Sequence, residues 1–123
     1  MSVYFTWAGV AQLTSWLASF TAPAAKYINW GTGATAARTD TALTGEATES
    51  RITGTCSQVT TTQTNDTFQC QGTQTCNATG KTITDAGLFF VASGTGLFME
   101  GDLTGIPVVQ NDQIQFTFQL QFT

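Results

Sequence analysis

The segment 113–123 alternates without error between apolar and polar side chains. Side chains of a β-strand point to opposite faces in turn, so this period of two predicts a strand with one face in a core and the other in solvent. We expect the five apolar residues of the segment to form one continuous core face. They are Ile114, Phe116, Phe118, Leu120 and Phe122.

The composition agrees with a β-protein. Among 123 residues there are twenty-five threonines and twelve glycines against two prolines. Threonine suits a half-solvated sheet, because its β-branch packs while its hydroxyl faces water. A chain of this length that is 41% hydrophobic has room for one core, so residues 1–123 are predicted to form a single domain.

A β-hairpin is predicted from segments 51–62 and 67–79, which alternate in polarity around a turn at 63–66. In such a hairpin, each residue faces the one at the same distance on the other side of the turn. This register places Cys56 opposite or next to Cys70, and a slip of one residue would spoil the pairing.

The three cysteines, Cys56, Cys70 and Cys76, allow two interpretations. The hairpin register favours contact and a disulfide between Cys56 and Cys70, with Cys76 standing apart. The alternative is that all three are small buried hydrophobic residues, and the sequence leaves their redox state open. An odd number of cysteines without CxxC spacing offers no closed thiolate metal site.

The other strands are predicted at 26–30, at 81–91 and in two short segments, 97–100 and 106–109. Consecutive apolar residues in 81–91 indicate burial on both faces and therefore a central position. Residues 34–50 are predicted to be a loop with a turn at Asp40. The fold class is mainly β, an antiparallel β-sandwich or jelly-roll-like barrel with one N-terminal amphipathic helix.

That helix is predicted over about 8–20, because apolar residues recur there at spacings of three and four. Thr6 is the candidate N-cap, and Pro23 ends the pattern. The apolar stripe packs on the protein's own sheet in one interpretation and contacts a partner in the other. Its residues are Val10, Leu13, Trp16, Leu17 and Phe20.

The chain has no histidine, which excludes Ser-His-Asp and Cys-His nucleophiles and imidazole zinc sites. Paired carboxylates are the remaining catalytic device, and the local candidates are Glu46 with Glu49, and Asp85 with Glu100 and Asp102. Glu46 and Glu49 lie among small residues without flanking aromatics, so we interpret them as solvated surface charges. A Ca²⁺ site at Asp40 or Asp102 is disfavoured, because no loop there alternates acids regularly. The sequence predicts no enzyme, cofactor or metal site.

Two glycine-containing segments resemble fragments of nucleotide-binding loops without completing them. Gly80-Lys81-Thr82 lacks the earlier glycine of a phosphate-binding loop, since Thr75 stands at that position, and a strand follows it instead of a helix. Gly31-Thr32-Gly33 has Ala36 where a dinucleotide-binding motif needs a third glycine.

Net charge −4 and four scattered bases argue against nucleic acid or an anionic membrane as partner. The opening apolar stretch lacks a basic n-region, so no signal peptide is expected. No run reaches the length of apolar residues that spans a bilayer.

Several segments follow one another in a recognisable order. After the leading helix come the break Thr21-Ala22-Pro23, a strand entering Gly-Thr-Gly over 27–33, Thr39-Asp40-Thr41-Ala42-Leu43 with Glu46, Arg51-Ile52-Thr53-Gly54-Thr55, Ile83-Thr84-Asp85-Ala86-Gly87-Leu88-Phe89 and the final alternating strand. In this order nearly the whole chain resembles a group of small virion structural proteins of tailed bacteriophages. The cysteines and the Gln-rich last strand depart from the group's pattern.

The resemblance implies a non-enzymatic structural protein made in the host bacterial cytoplasm. The first expectation is a capsid cement (decoration) protein that binds the major capsid protein on the outer capsid surface as a dimer or trimer. The alternative is a tail or fibre domain that binds a host glycan or receptor. Trp7, Trp16 and Trp30 are predicted to pack where the helix meets the first strand, which favours the cement role, since a glycan binder needs an exposed aromatic.

Overall fold

The computed structural model of the protein describes residues 3–19, 25–33 and 36–122. They form one helix and eight strands in two antiparallel sheets, which confirms a mainly β, sandwich-like fold. In chain order the elements are β1 (Val3–Phe5), α1 (Trp7–Ser19), β2 (Tyr27–Gly31), β3 (Ile52–Thr53), β4 (Thr55–Val59), β5 (Thr67–Thr75), β6 (Lys81–Phe89), β7 (Leu97–Val108) and β8 (Gln113–Gln121). The large sheet has the order β1-β7-β6-β2-β3, and the small sheet has the order β4-β5-β8.

Strand β6 lies in the centre of the large sheet, as its consecutive apolar residues predict. Ile83, Leu88 and Phe89 are completely buried. Phe89 packs with Leu43 of the 36–50 loop, whereas Ile83 and Leu88 belong to the core between the sheets. Both faces of the strand are therefore covered.

Strand β7 is one strand of twelve residues where the sequence predicts two short segments. Its pairing with β6 shifts register between Ile83 and Asp85, and again between Leu88 and Phe89. Such a bulge absorbs an extra residue and lets pairing continue past it. The glycines between the two apolar segments therefore do not end the strand.

The helix begins one residue earlier than predicted, and Thr6 is its N-cap. The Thr6 hydroxyl oxygen accepts a hydrogen bond from the Gly9 amide at 2.9 Å and donates one to the Leu97 carbonyl at 2.6 Å. Leu13 and Trp16 pack against the core. The predicted helix end and the Thr21-Ala22-Pro23 break fall outside the described residues.

The predicted hairpin is formed by β4 and β5, and its register pairs Cys56 with Cys70. Their Cα atoms lie 4.0 Å apart, and the two residues are joined by a disulfide. Cys76 is a separate, buried, free cysteine. The Asp66 carboxylate accepts hydrogen bonds from the Gln63 and Thr61 amides, which hold the turn and lower the pKa of Asp66.

Strand β8 confirms the predicted alternation, with one exception. Phe116 and Phe118 are buried and Ile114 and Leu120 are partly buried, but Phe122 is 55% exposed. The Phe122 amide donates to the Asp66 carbonyl beside the hairpin turn, where residues 60–65 are all exposed. The prediction of a five-residue core face was wrong at Phe122, because that residue lies level with the solvated turn.

Candidate functional site

The first candidate pair of carboxylates, Glu46 and Glu49, lies where the 36–50 loop meets the large sheet. Glu49 is only 9% exposed. One of its carboxylate oxygens accepts a hydrogen bond from the Trp30 indole at 2.8 Å, and the other accepts from the Asn77 amide and the Lys81 ammonium group. The interpretation of Glu49 as a solvated charge without aromatic neighbours was therefore wrong.

Glu46 is also paired, although it is less buried. Its two oxygens accept hydrogen bonds from the Arg51 guanidinium group, each at 2.9 Å, and the Asn29 amide donates to one of them at 2.8 Å. Arg51 stacks on the Phe89 ring at 3.5 Å from the centroid and also donates to the carbonyls of Val91 and Gly94. The Glu46–Arg51 pair thus joins the loop to the turn that follows β6.

The ion pairs fix the protonation of both carboxylates. Burial opposes the ionisation of Glu49, but hydrogen bonds from Asn77, Lys81 and Trp30 outweigh it and lower its pKa to about 2. Hydrogen bonds from Arg51 and Asn29 likewise outweigh burial and lower the pKa of Glu46. Both groups are ionised at neutral pH and already bonded to cations, so neither is available as a general acid.

An open cleft of about 380 Å³ borders these two ion pairs. Glu46, Glu49 and Arg51 line one side, and residues 92–94 line the other. The charges at its base neutralise one another. The cleft therefore offers a small polar ligand no unpaired charge from these two pairs.

The second candidate group, Asp85 with Glu100 and Asp102, is brought together on neighbouring strands. Asp85 pairs with Asp102 across β6 and β7, and Glu100 lies opposite Gly87. Asp85 and Glu100 are fully buried, whereas Asp102 is half-buried. The sequence grouped these residues correctly but did not predict their burial.

Burial keeps the two inner carboxyl groups protonated to unusually high pH. Burial raises the pKa of Asp85 to about 6, although the Gly33 amide opposes the shift. Among the described residues, no group lies in hydrogen-bond geometry to either Asp85 carboxyl oxygen. Burial and the neighbouring Asp40 raise the pKa of Glu100 to about 8. One Glu100 oxygen accepts from the Ala37 amide at 3.2 Å. Both groups lie beneath the loop with no exposed surface, so a substrate has no access to them.

Within residues 3–19, 25–33 and 36–122, no three acidic or cysteine side chains are grouped so that they could hold a metal ion. Lys81 of the Gly80-Lys81-Thr82 segment is the first residue of β6 and is bonded to Glu49.

The exposed face of the small sheet is a second kind of candidate site, made of amides and hydroxyls. None of its three strands contains a charged residue. Cross-strand hydrogen bonds link Gln119 to Gln69 at 2.8 Å and Gln71 to Thr117 at 3.0 Å. These bonds hold the side chains in place on a polar and uncharged surface.

Two residues of the helix's apolar stripe, Leu13 and Trp16, pack against the core. The Trp16 ring stacks on Phe98 at 5.8 Å between centroids, and Leu13 packs beside it. Val10 is partly exposed. The side chain of Leu17 and all of Phe20 lie outside the part of the chain that the structure describes.

The three tryptophans do not behave alike. Trp30 is fully buried and meets Phe116 edge to face at 6.3 Å, and Trp16 is partly buried. Trp7 is 54% exposed, with the Arg38 guanidinium group 3.7 Å from its ring centroid. The prediction that Trp7 packs inside was wrong, because its indole lies at the surface against the Arg38 side chain.

Comparisons of the chain with protein-family models, with curated proteins and with solved structures found no match. No helix in the described ranges is long and apolar enough to cross a membrane.

Proposed function

We propose that the protein is a non-enzymatic structural component of a tailed-bacteriophage virion, a cement protein that binds the outer capsid surface and bridges major capsid subunits. The order of sequence segments that resembles small virion proteins supports this assignment. The environment of the carboxylates supports a non-enzymatic role as well. Glu46 and Glu49 are bonded to cations, and Asp85 and Glu100 are buried beneath a loop, so none of them is available to a substrate.

The observation that carries the proposal is the uncharged polar face of the small sheet. A pleated surface of glutamine and threonine side chains presents hydrogen-bond donors and acceptors to a partner without the cost of desolvating charges. The described part of the helix and the 36–50 loop cover part of the large sheet, including its buried carboxyl groups. The small-sheet face is therefore an uncommitted surface that is open to a lattice contact.

Removal and addition of the protein test the function. Virions stripped of the protein are expected to lose resistance to heat, and purified protein added back is expected to restore it. Retention on capsids is expected to change little between low and high salt, because the contact surface carries no charge. Unchanged heat resistance after removal would contradict the cement role.

A matched pair of variants tests the surface. Thr73→Lys places a charge on the exposed face of β5, and Thr104→Lys places the same charge on exposed β7 of the large sheet. We expect Thr73→Lys to abolish restoration of heat resistance and Thr104→Lys to preserve it. If both variants restore heat resistance equally, the contact lies elsewhere on the protein.

Trp7 favours a second candidate function, a tail or fibre domain that binds a host glycan. The Arg38 guanidinium group lies over the Trp7 ring, and the part of the indole that stays exposed is a surface on which a sugar ring can stack. This function predicts only a few copies per virion, located at the tail by labelled-antibody microscopy, and glycan binding that Trp7→Ala abolishes. Hundreds of copies over the capsid would contradict it.

A further inference from the structure

Strand β8 has one paired edge and one open edge. It pairs with β5 along its whole length, and within the described ranges no strand lies on its other side. Beyond the two ends of this ladder, the Phe122 amide donates to the Asp66 carbonyl and the Cys76 amide donates to the Asp112 carbonyl. Hydrogen-bonded pairs alternate along an antiparallel ladder, so the even-numbered residues of β8 bond to β5. The odd-numbered residues direct their backbone N–H and C=O groups to the open edge.

The sequence of this strand is a palindrome in chemical type about Thr117. Reading outward from Thr117, the successive pairs are Phe116 and Phe118, Gln115 and Gln119, Ile114 and Leu120, and Gln113 and Gln121. If a second copy of the strand lies antiparallel to the first and is centred on the same residue, each side chain therefore lies opposite one of the same chemical type. Thr117 of one copy lies opposite Thr117 of the other. The backbone N–H and C=O groups that face each other there are the ones that do not bond to β5.

We infer that a second copy of this chain binds the open edge of β8, with a two-fold axis at Thr117. The two small sheets join into one continuous six-stranded sheet, and the same surface serves both copies, as two-fold symmetry requires. The odd-numbered residues of each β8 form the hydrogen-bonded pairs of the new ladder, over a length of about 30 Å for nine residues.

Side-chain contacts favour this register on both faces. On the core face, Phe116 lies opposite Phe118 of the second copy in a non-hydrogen-bonded pair, the type in which side chains approach most closely. On the outer face, Gln115 lies opposite Gln119 of the second copy, so their amides can donate to one another. The strand has no charged residue, so two molecules of net charge −4 meet without like charges at the contact.

The residues in and around the open edge of β8 also favour pairing with a second copy. Natural edge strands carry lysine, proline or bulges that prevent pairing, and β8 has none of these. A mainly apolar cavity of about 360 Å³ opens beside it, lined by Val3, Leu103, Phe116 and Phe118 among others. Val3 is 49% exposed in the single chain. A second copy at this edge covers apolar surface as well as backbone.

Sedimentation of the purified full-length chain tests the inference without capsids, so its outcome is separate from that of the capsid-binding experiment. We expect a dimer for the unaltered protein. Thr117→Lys sets two ammonium groups opposite each other on the axis and is expected to weaken the dimer by about tenfold or more. Thr73→Lys, on the same face but on the inner strand β5, is the matched control and is expected to remain dimeric.

A mixture of Thr117→Lys and Thr117→Glu proteins is the decisive experiment. Opposite charges then lie across the axis from each other, so we expect mixed dimers to form again. Circular dichroism and a thermal midpoint close to that of the unaltered chain establish that each variant is folded. A monomer or a trimer for the unaltered protein, or a dimer unaffected by Thr117→Lys, would overturn the inference.

Discussion

The two sheets of the sandwich place their polar groups in opposite ways. The small sheet has no charged residue and turns most of its glutamines and threonines to water, with Thr67 and Gln74 as buried exceptions, while its phenylalanines face the core. The large sheet is covered on both faces around its central strand, where Asp85 and Glu100 are buried. A sheet with one solvated face can expose every polar side chain, whereas a doubly covered sheet must bury those it contains. Above about pH 4, where the Asp66 carboxylate of the small-sheet turn is already ionised, the pH dependence of stability should therefore come from the large sheet and its loop.

The largest expected effect concerns the core face of the small sheet. Phe118→Ala removes a ring that is 7% exposed and should lower the free energy of unfolding by about 3–5 kcal/mol. Phe122→Ala, on the same face but 55% exposed, should cost less than about 1 kcal/mol. Urea denaturation measures both. Equal losses would mean that the alternation along β8 does not distinguish core from solvent.

The next effect concerns the ion pair beside the large sheet. Glu49→Gln leaves the Lys81 ammonium group, whose side chain is 12% exposed, without a counter-ion and should cost about 2–4 kcal/mol at neutral pH. Because the pKa of Glu49 is about 2 in the folded protein and 4.5 in the unfolded chain, its contribution should disappear as pH falls through that interval. The double variant Glu49→Gln, Lys81→Met should recover part of the loss. Recovery of nothing would contradict the coupling of the two side chains.

The buried carboxyl groups should act with the opposite sign. With a folded pKa of about 6 for Asp85 and about 8 for Glu100, the folded protein retains protons that the unfolded chain has released. The free energy of unfolding should therefore fall as pH rises from about 4 to 8. Asp85→Asn should remove roughly 3 kcal/mol of this decline, mainly below pH 6, and Glu100→Gln should remove the part at higher pH. Denaturation curves with the same pH slope in all three proteins would contradict this assignment.

The smallest effect is expected on the exposed face of the small sheet. Gln69→Thr removes the hydrogen bond from the Gln119 amide but keeps a residue suited to strands. The free energy of unfolding should change by less than about 0.5 kcal/mol, with no change in its pH dependence. A larger loss would show that the amide network stabilises the fold as well as forming its surface.

The small sheet was predictable from sequence because its strands and the register of its hairpin are determined by residues that are close together in the chain. The alternation along β8 and the hairpin turn that sets Cys56 opposite Cys70 each depend on residues close in the chain. The environment of Glu49 was not predictable, since its partners Trp30 and Lys81 lie 19 and 32 residues away and are brought together by strand order. The sequence grouped Asp85 with Glu100, but the burial of Asp85 depends on how the 36–50 loop folds over β6. That loop is made mostly of small residues without hydrophobic periodicity, so its path could not be predicted. The exception at Phe122 arose because the strand pattern continues past the end of the core.

The free thiol of Cys76 lies at the corner where the chain passes from the small sheet to the large one. The residue is 1% exposed, its thiol donates to the Thr79 carbonyl, and its backbone bonds to Asn111 and Asp112 of the facing turn. A thiol reagent can reach this sulfur only when the corner opens, since the other two cysteines are joined to each other. The rate of labelling therefore measures how often the two layers separate at this point, on a chain that needs no engineered probe.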